Sequence, residues 1–261
     1  MSTLPTSSTL APVLRALRLS GITETLEARL AEARAGSLGH VEFLQVLLED
    51  ELARREAQAV NRRIRAARFE TQATLEGFDF TFNARLPAAQ IRDLARLEFI
   101  AGGEQILLYG PVGVGKSHIA QALGHAACRR GYEVIFTTCS KLLADLAGGH
   151  ADRSFETRLK RLARPAVLIC DDFAMRDFTA AQADDLYELL RERLGRPGKT
   201  LIVTSNRQPA DWYQLFPNAV VGESILDRLL NSAHHLLMEG KSFRPNRRPG
   251  RTATTKGNQR R

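Results

Sequence analysis

The octet GPVGVGKS, running from Gly110 to Ser117, constrains this chain more than any other stretch. It satisfies G-x-x-x-x-G-K-[ST] in full and stands between the apolar run ILLYG and the helical pattern SHIAQALGHAACRRG. The glycines Gly110, Gly113 and Gly115, with Pro111, Val112 and Val114 between them, permit a tight loop. Its backbone N–H groups would wrap an anionic phosphate at a helix N-terminus. Lys116 would reach the outer phosphates of ATP, and Ser117 would hold Mg2+. His118 ends the nucleotide-binding set, although its place on the helix favours packing over chemistry.

A second motif gains its meaning from the first. In VLICDDFAMR an apolar run ends in two acids, and Asp171 lies 55 residues past Lys116. Parallel strands bring their C-terminal ends to one edge, where ligands of doubly wound sheets bind. Asp171 is then expected to orient magnesium, and Asp172 to polarise the water that attacks the γ-phosphate. The plainer reading of Asp172 is a turn-capping acid. TLIVTSN ends 35 residues after Asp171 in Asn206, a polar tip that could position this water or sense the γ-phosphate. Arg228, in a helix expected over 223–231, is either a surface charge or an arginine finger for a neighbouring subunit's site. His234 and His235 lack partners at ligand spacing and read as structural.

From Gln105 onward, strand and helix patterns alternate, which implies an α/β fold with a parallel sheet covered on both faces. Before that the chain reads as helical, with a break at Gly21, a stop at Gly36 and a second helix over about 40–69. That second stretch carries Arg54, Arg55, Arg62, Arg63, Arg65 and Arg68, read either as a solvated face or as one that contacts phosphates. GFDFTFN, with Phe78, Phe80 and Phe82 alternating, is expected to be an extended linker or short strand, and AAQIRDLARLEFI a short helix. The expected domains are a helical 1–75, an ATPase 76–244 and a tail 245–261. Most of the net charge of +8 lies in that tail, whose six Arg and Lys residues face no acid. Rich in Pro, Gly and Thr, it is expected to be a disordered, nucleic-acid-binding arm, or simply a solubilising end. No apolar run reaches the ~18 residues that would span a membrane, and no secretory signal is visible. Cys128, Cys139 and Cys170 read as the reduced, structural thiols of a cytoplasmic protein.

Together, GPVGVGKSH, VLICDDF, TLIVTSN and ILDRLLNSAHHLLMEGKSFR resemble the IstB/DnaC-like branch of the AAA+ ATPases. LRALRLSGITETLEARL, NRRIRAARF and TLEGFDFTFN are similar to the IstB transposition helpers within it. The resemblance implies an AAA+ P-loop core with a small N-terminal helical domain. It also implies a DNA-dependent ATPase that forms a homo-oligomer on duplex DNA and assists an IstA-like transposase. A DnaC-like loader of a replicative helicase, using ATP as an assembly switch, is the alternative. A small-molecule kinase would leave Asn206, Arg228 and the basic tail unexplained. Carried over residue by residue, Lys116 and Ser117 match the nucleotide and magnesium residues, Asp171 the Walker B acid, Asn206 the sensor-1 position and Arg228 the finger. Arg244 falls near a sensor-2 arginine, with a poor match. One departure matters: such proteins usually follow the Walker B Asp with Glu, and this chain has Asp172. Its carboxylate is drawn back by about one methylene, so slow hydrolysis is expected. No base-reading motif is visible, so DNA binding should follow backbone charge and shape.

Overall fold

The computed structural model describes residues 7–36 and 38–244, so the basic tail lies outside the described residues. The chain divides into two compact units between Arg62 and Arg63, inside a long helix, rather than near residue 75. The physical reason is that Ala67 and Phe69 already pack in the core of the second unit.

The first unit contains α1 (Ser7–Ala16), α2 (Ser20–Gly36) and the first part of α3 (His40–Ala67). Ile22, Leu26 and Leu47 form its small core. Gly21 does not break the helical run as expected; it sits in the first turn of α2. A Cβ there would come within 2.7 Å of the Glu51 Cα, so the glycine lets α2 approach α3. The buried Glu51 carboxylate then accepts the N–H of Gly21 at 2.6 Å and of Ile22 at 3.3 Å, capping α2. Several of the expected basic residues are held locally: Arg54 pairs with Glu24, and Arg55 pairs with Glu51 at 2.7 Å.

In the second unit α4 (Ala88–Leu94) and α5 (Glu98–Gly102) precede a five-stranded sheet. AAQIRDLARLEFI is therefore two helices, interrupted where Leu97 takes a left-handed conformation (φ 65°). The strands are β1 (Gln105–Tyr109), β2 (Val134–Thr138), β3 (Val167–Asp171), β4 (Thr200–Ser205) and β5 (Ala233–Leu237). They are all parallel, in the order β2-β3-β4-β1-β5. The crossovers are α6 (Lys116–Arg129), α7 (Cys139–Ala151), α8 (Phe155–Ala163), α9 (Ala180–Arg193) and α10 (Ala219–Asn231), with a 3-10 helix at Pro209–Leu215.

Alternation along the buried strands divides the core into two layers. Ile106, Leu108, Ile169 and Ile202 face α6, while Leu107, Leu168, Leu201 and Val203 join the layer of α7 to α10. Thr179 caps α9 in a capping box with Gln182, as its place in the sequence implies. GFDFTFN forms turns instead of a strand. Its centre is folded back by Asp79, whose carboxylate accepts the Thr81 N–H at 2.9 Å and hydroxyl at 2.6 Å. Among the described residues no helix is long and apolar enough to cross a membrane. All three cysteines are free and buried.

Candidate functional site

The strand order puts β4 between β1 and β3, so the segments after Tyr109, Cys170 and Ser205 converge at one sheet edge. The loop after β1 takes the conformation its glycines permit. Gly110, Gly113 and Gly115 have φ of 136°, 84° and 105°, and α6 starts at Lys116. Space also demands the glycines: a Cβ at Gly115 would stand 2.8 Å from the Phe78 ring, and one at Gly110 would collide with the Met238 carbonyl.

Lys116 is buried, and its Nζ donates to the carbonyls of Gly110 at 2.9 Å and Pro111 at 2.7 Å. Burial lowers its pKa, an effect opposed by the negative charges of Asp172 and Asp171. Asp171 is the last residue of β3 and is 4% exposed. Burial raises its pKa; hydrogen bonds from Thr204 and Ser117 offset part of the rise, and the charges of Asp172 and Glu70 add to it. Ser117 is thus near enough to Asp171 to hold its pKa down, which brings the two sequence motifs to one place.

Asp172 leaves the strand in a left-handed conformation (φ 55°), which turns its exposed side chain into the cleft. Thr204 links the two acids: its hydroxyl donates to Asp171 Oδ1 at 2.5 Å and accepts the Asp172 N–H at 3.1 Å. Asn206, just past β4, lines the same cleft of about 390 Å³. Arg244 also reaches this cleft, close enough for its charge to lower the Lys116 pKa. His118 is at the rim, with Nε2 3.3 Å from the Thr74 carbonyl and its ring against Phe78, in keeping with packing. Arg228 is exposed on α10 and is not among the cleft's lining residues. His234 contacts Glu104 at 2.5 Å and His235 the Leu230 carbonyl at 2.9 Å.

Several residues here were not legible as site residues. Phe78, Phe82, Asn83 and Phe243 line the cleft beside the glycine loop. The alternating phenylalanines are the available signal, but their period points to an extended linker or short strand.

The residues suit a nucleotide with a hard divalent cation. Glycine backbone at positive φ, which a Cβ would obstruct, is the right lining for a phosphate cradle. One hydroxyl (Ser117) and one carboxylate (Asp171) match magnesium, which takes few protein oxygens and completes its shell with phosphates and water. Among the described residues no group of three or more His, Cys, Asp or Glu forms a separate metal cage.

Residues 12–250 match the family described as IstB-like ATP binding protein. An insertion-sequence protein of Mycobacterium tuberculosis, named for ATP binding, is 60% identical over 92% of this chain and 96% of its own. Its counterpart in insertion sequence IS21 of Pseudomonas aeruginosa is 34% identical over 89% of this chain and 87% of its own. Among solved structures, the DnaC helicase loader has a TM-score of 0.54 at 19% identity, covering 68% of this chain and 99% of that one. The replication initiator DnaA, solved with AMPPCP and single-stranded DNA, has a TM-score of 0.56 at 20% identity over 67% of this chain. The match covers 52% of that protein, so this chain spans about half its length. At these identities the likeness is one of fold: the AAA+ P-loop core with its parallel sheet and flanking helices.

Proposed function

Since the chain belongs to the family of IstB-like ATP binding proteins, we propose that it is a slow, DNA-dependent ATPase that assembles on duplex DNA when ATP occupies the cleft and assists a transposase in engaging its target. The observation that carries the catalytic part is the glycine loop at positive φ with the buried Lys116 folded onto its carbonyls, while Thr204 holds the buried Asp171 at the tip of β3.

In this reading the loop amides and Lys116 hold the phosphates of ATP, and Lys116 exchanges its two carbonyl partners for phosphate oxygens. Ser117 and Asp171 would hold Mg2+, which when bound offsets charge on the β- and γ-phosphate oxygens. Asp172 accepts a proton from the attacking water, and Asn206 orients that water from the neighbouring strand tip. Asp172 is favoured for this by its exposed place in the cleft and by a carboxylate that accepts no hydrogen bond from a described residue. Its short side chain keeps turnover slow. Exposed on α10, Arg228 acts on a neighbouring copy's nucleotide, so hydrolysis depends on assembly.

DNA is held through its backbone. Arg62, Arg65 and Arg68 are exposed, and six further Arg and Lys lie in residues 245–261. The reduced cysteines agree with a cytoplasmic setting. A helicase-loader role has support only at the level of fold, whereas the relatives at 30% identity or more named above belong to insertion sequences.

Phosphate release by the purified protein, measured with and without duplex DNA and the transposase of the same element, tests this proposal. Turnover should rise with DNA and again with transposase. Turnover unmoved by either, but stimulated by a replicative helicase, would transfer the protein to the loader class.

A further inference from the structure

Two chain segments from distant parts of the sequence flank the glycine loop, and one side chain joins them. After β5, residues 238–244 run along the loop's outer side. The Met238 N–H donates to the Tyr109 carbonyl at 2.8 Å, and the Phe243 N–H to the Gly113 carbonyl at 2.8 Å. Ser242 is packed where a Cβ on Gly113 would stand. On the other side, Phe78 closes on Gly115. Asn83 ties the two sides together across 158 residues of sequence. Its Nδ2 donates to the Lys241 carbonyl at 3.1 Å, and its Oδ1 accepts the Lys241 N–H at 3.0 Å. Asn83 is 7% exposed, and Gly240 (φ 124°) leaves room that any Cβ would take from the Asn83 amide. Phe82, next in sequence, meets Phe243 edge to face at 4.8 Å, and both line the cleft.

We propose that Asn83 is a positioning residue for the nucleotide: by clasping Lys241 it holds segment 238–244 against the glycine loop and keeps the loop in its phosphate-receiving shape. A two-point amide clasp fixes both the distance and the register of the segment, which a single hydrogen bond or an apolar contact would not. A loop already in its binding shape has less ordering to do when phosphate arrives, so the clasp contributes to affinity rather than to the chemical step. Asn83 touches no reacting atom in this scheme. The inference rests on the reading of the cleft as the ATP site.

The test compares wild type with Asn83→Ala, Asn83→Asp, Gly240→Ala and the Asn83→Ala/Gly240→Ala pair, with Lys116→Ala as the reference for the site itself. Steady-state hydrolysis of Mg·ATP and calorimetric ATP binding are measured, along with hydrogen exchange of residues 110–117 without nucleotide. Each clasp variant is expected to raise KM and Kd for ATP roughly tenfold, the worth of one to two hydrogen bonds. Their kcat should stay within about twofold, and exchange of the loop amides should be faster. The pair should be no worse than the more severe single variant, because both substitutions open one contact. Should Asn83→Ala fail to fold, Asn83→Asp, which turns the donating nitrogen into a charged oxygen facing the Lys241 carbonyl, is read by loop exchange without nucleotide, where repulsion of ATP plays no part. Clasp variants that melt earlier yet keep wild-type KM, Kd and loop exchange would overturn the positioning role. If instead Lys116→Ala binds ATP as wild type does, the reading of the cleft falls, which is a separate outcome.

Discussion

The Thr204 hydroxyl donates its proton to Asp171 Oδ1 at 2.5 Å from the adjacent strand. The Thr204 hydroxyl oxygen also accepts the Asp172 N–H, so one buried hydroxyl fixes the first acid's carboxylate and the second acid's backbone. Outer partners of this kind orient a ligating carboxylate.

Thr204→Val keeps the shape and removes the hydroxyl. ATP hydrolysis should fall about 10- to 100-fold, and half-saturation by magnesium should move to higher concentration. Binding of ATP in the presence of a chelator should be little changed. The unsatisfied Asp172 N–H and carboxylate should cost about 1–3 kcal/mol of stability. Kinetics across a magnesium series and a denaturant titration check both parts.

Asp172→Glu returns the missing methylene. Turnover at saturating ATP and DNA should rise roughly tenfold or more, and Asp172→Asn should abolish it while ATP still binds. A Glu variant no faster than wild type would mean that the shorter acid already reaches its water.

The buried Asp171 carboxyl titrates above the usual carboxylate range. A raised folded-state pKa means that the protonated form is the one folding favours. Its contribution to stability is complete below the ordinary value of 3.8 and is lost as pH rises through the folded value. Magnesium needs the ionised form, so Mg·ATP binding in that window should release a proton and strengthen as pH rises. Calorimetry in buffers of different ionisation enthalpy should detect this release, and Asp171→Asn should lack it.

Arg193 tests the fold rather than the site. It is fully buried at the end of α9, and its guanidinium donates to the carbonyls of Leu162, Ala163, Pro165, Ala166 and Thr200. Burial lowers its pKa to about 10, so it is charged at neutral pH, and the C-terminal carbonyls of α8 face that charge. Arg193→Leu should strand these carbonyls and cost about 1–3 kcal/mol for each one left without a donor. The midpoint of urea unfolding should drop with little change in slope.

The parts of the site that rest on local chemistry were legible in the sequence. The glycine loop announces its shape, and an apolar run ending in acid announces Asp171, because strand and turn are written in consecutive residues. Asn206 followed from the same logic and lines the cleft. Thr204 stood in view within TLIVTSN, but its bond to Asp171 depends on β3 and β4 being neighbours, which strand patterns alone do not order. Asn83 and Lys241 are 158 residues apart, and nothing local marks the amide as a clasp. The aromatics of GFDFTFN misled by their period, since the Asp79–Thr81 turn overrides it. Gly21 misled for a related reason: its cause is a helix crossing, not a chain break.

The central claim, that ATP occupancy of this cleft drives assembly on DNA, is tested most directly by sedimentation of the protein on duplex DNA with and without Mg·ATP. Wild type should form large DNA-bound oligomers only with nucleotide, and Lys116→Ala should remain small under both conditions. If Lys116→Ala binds DNA to the same extent and in oligomers of the same size as wild type, ATP is not the assembly signal and the account is contradicted.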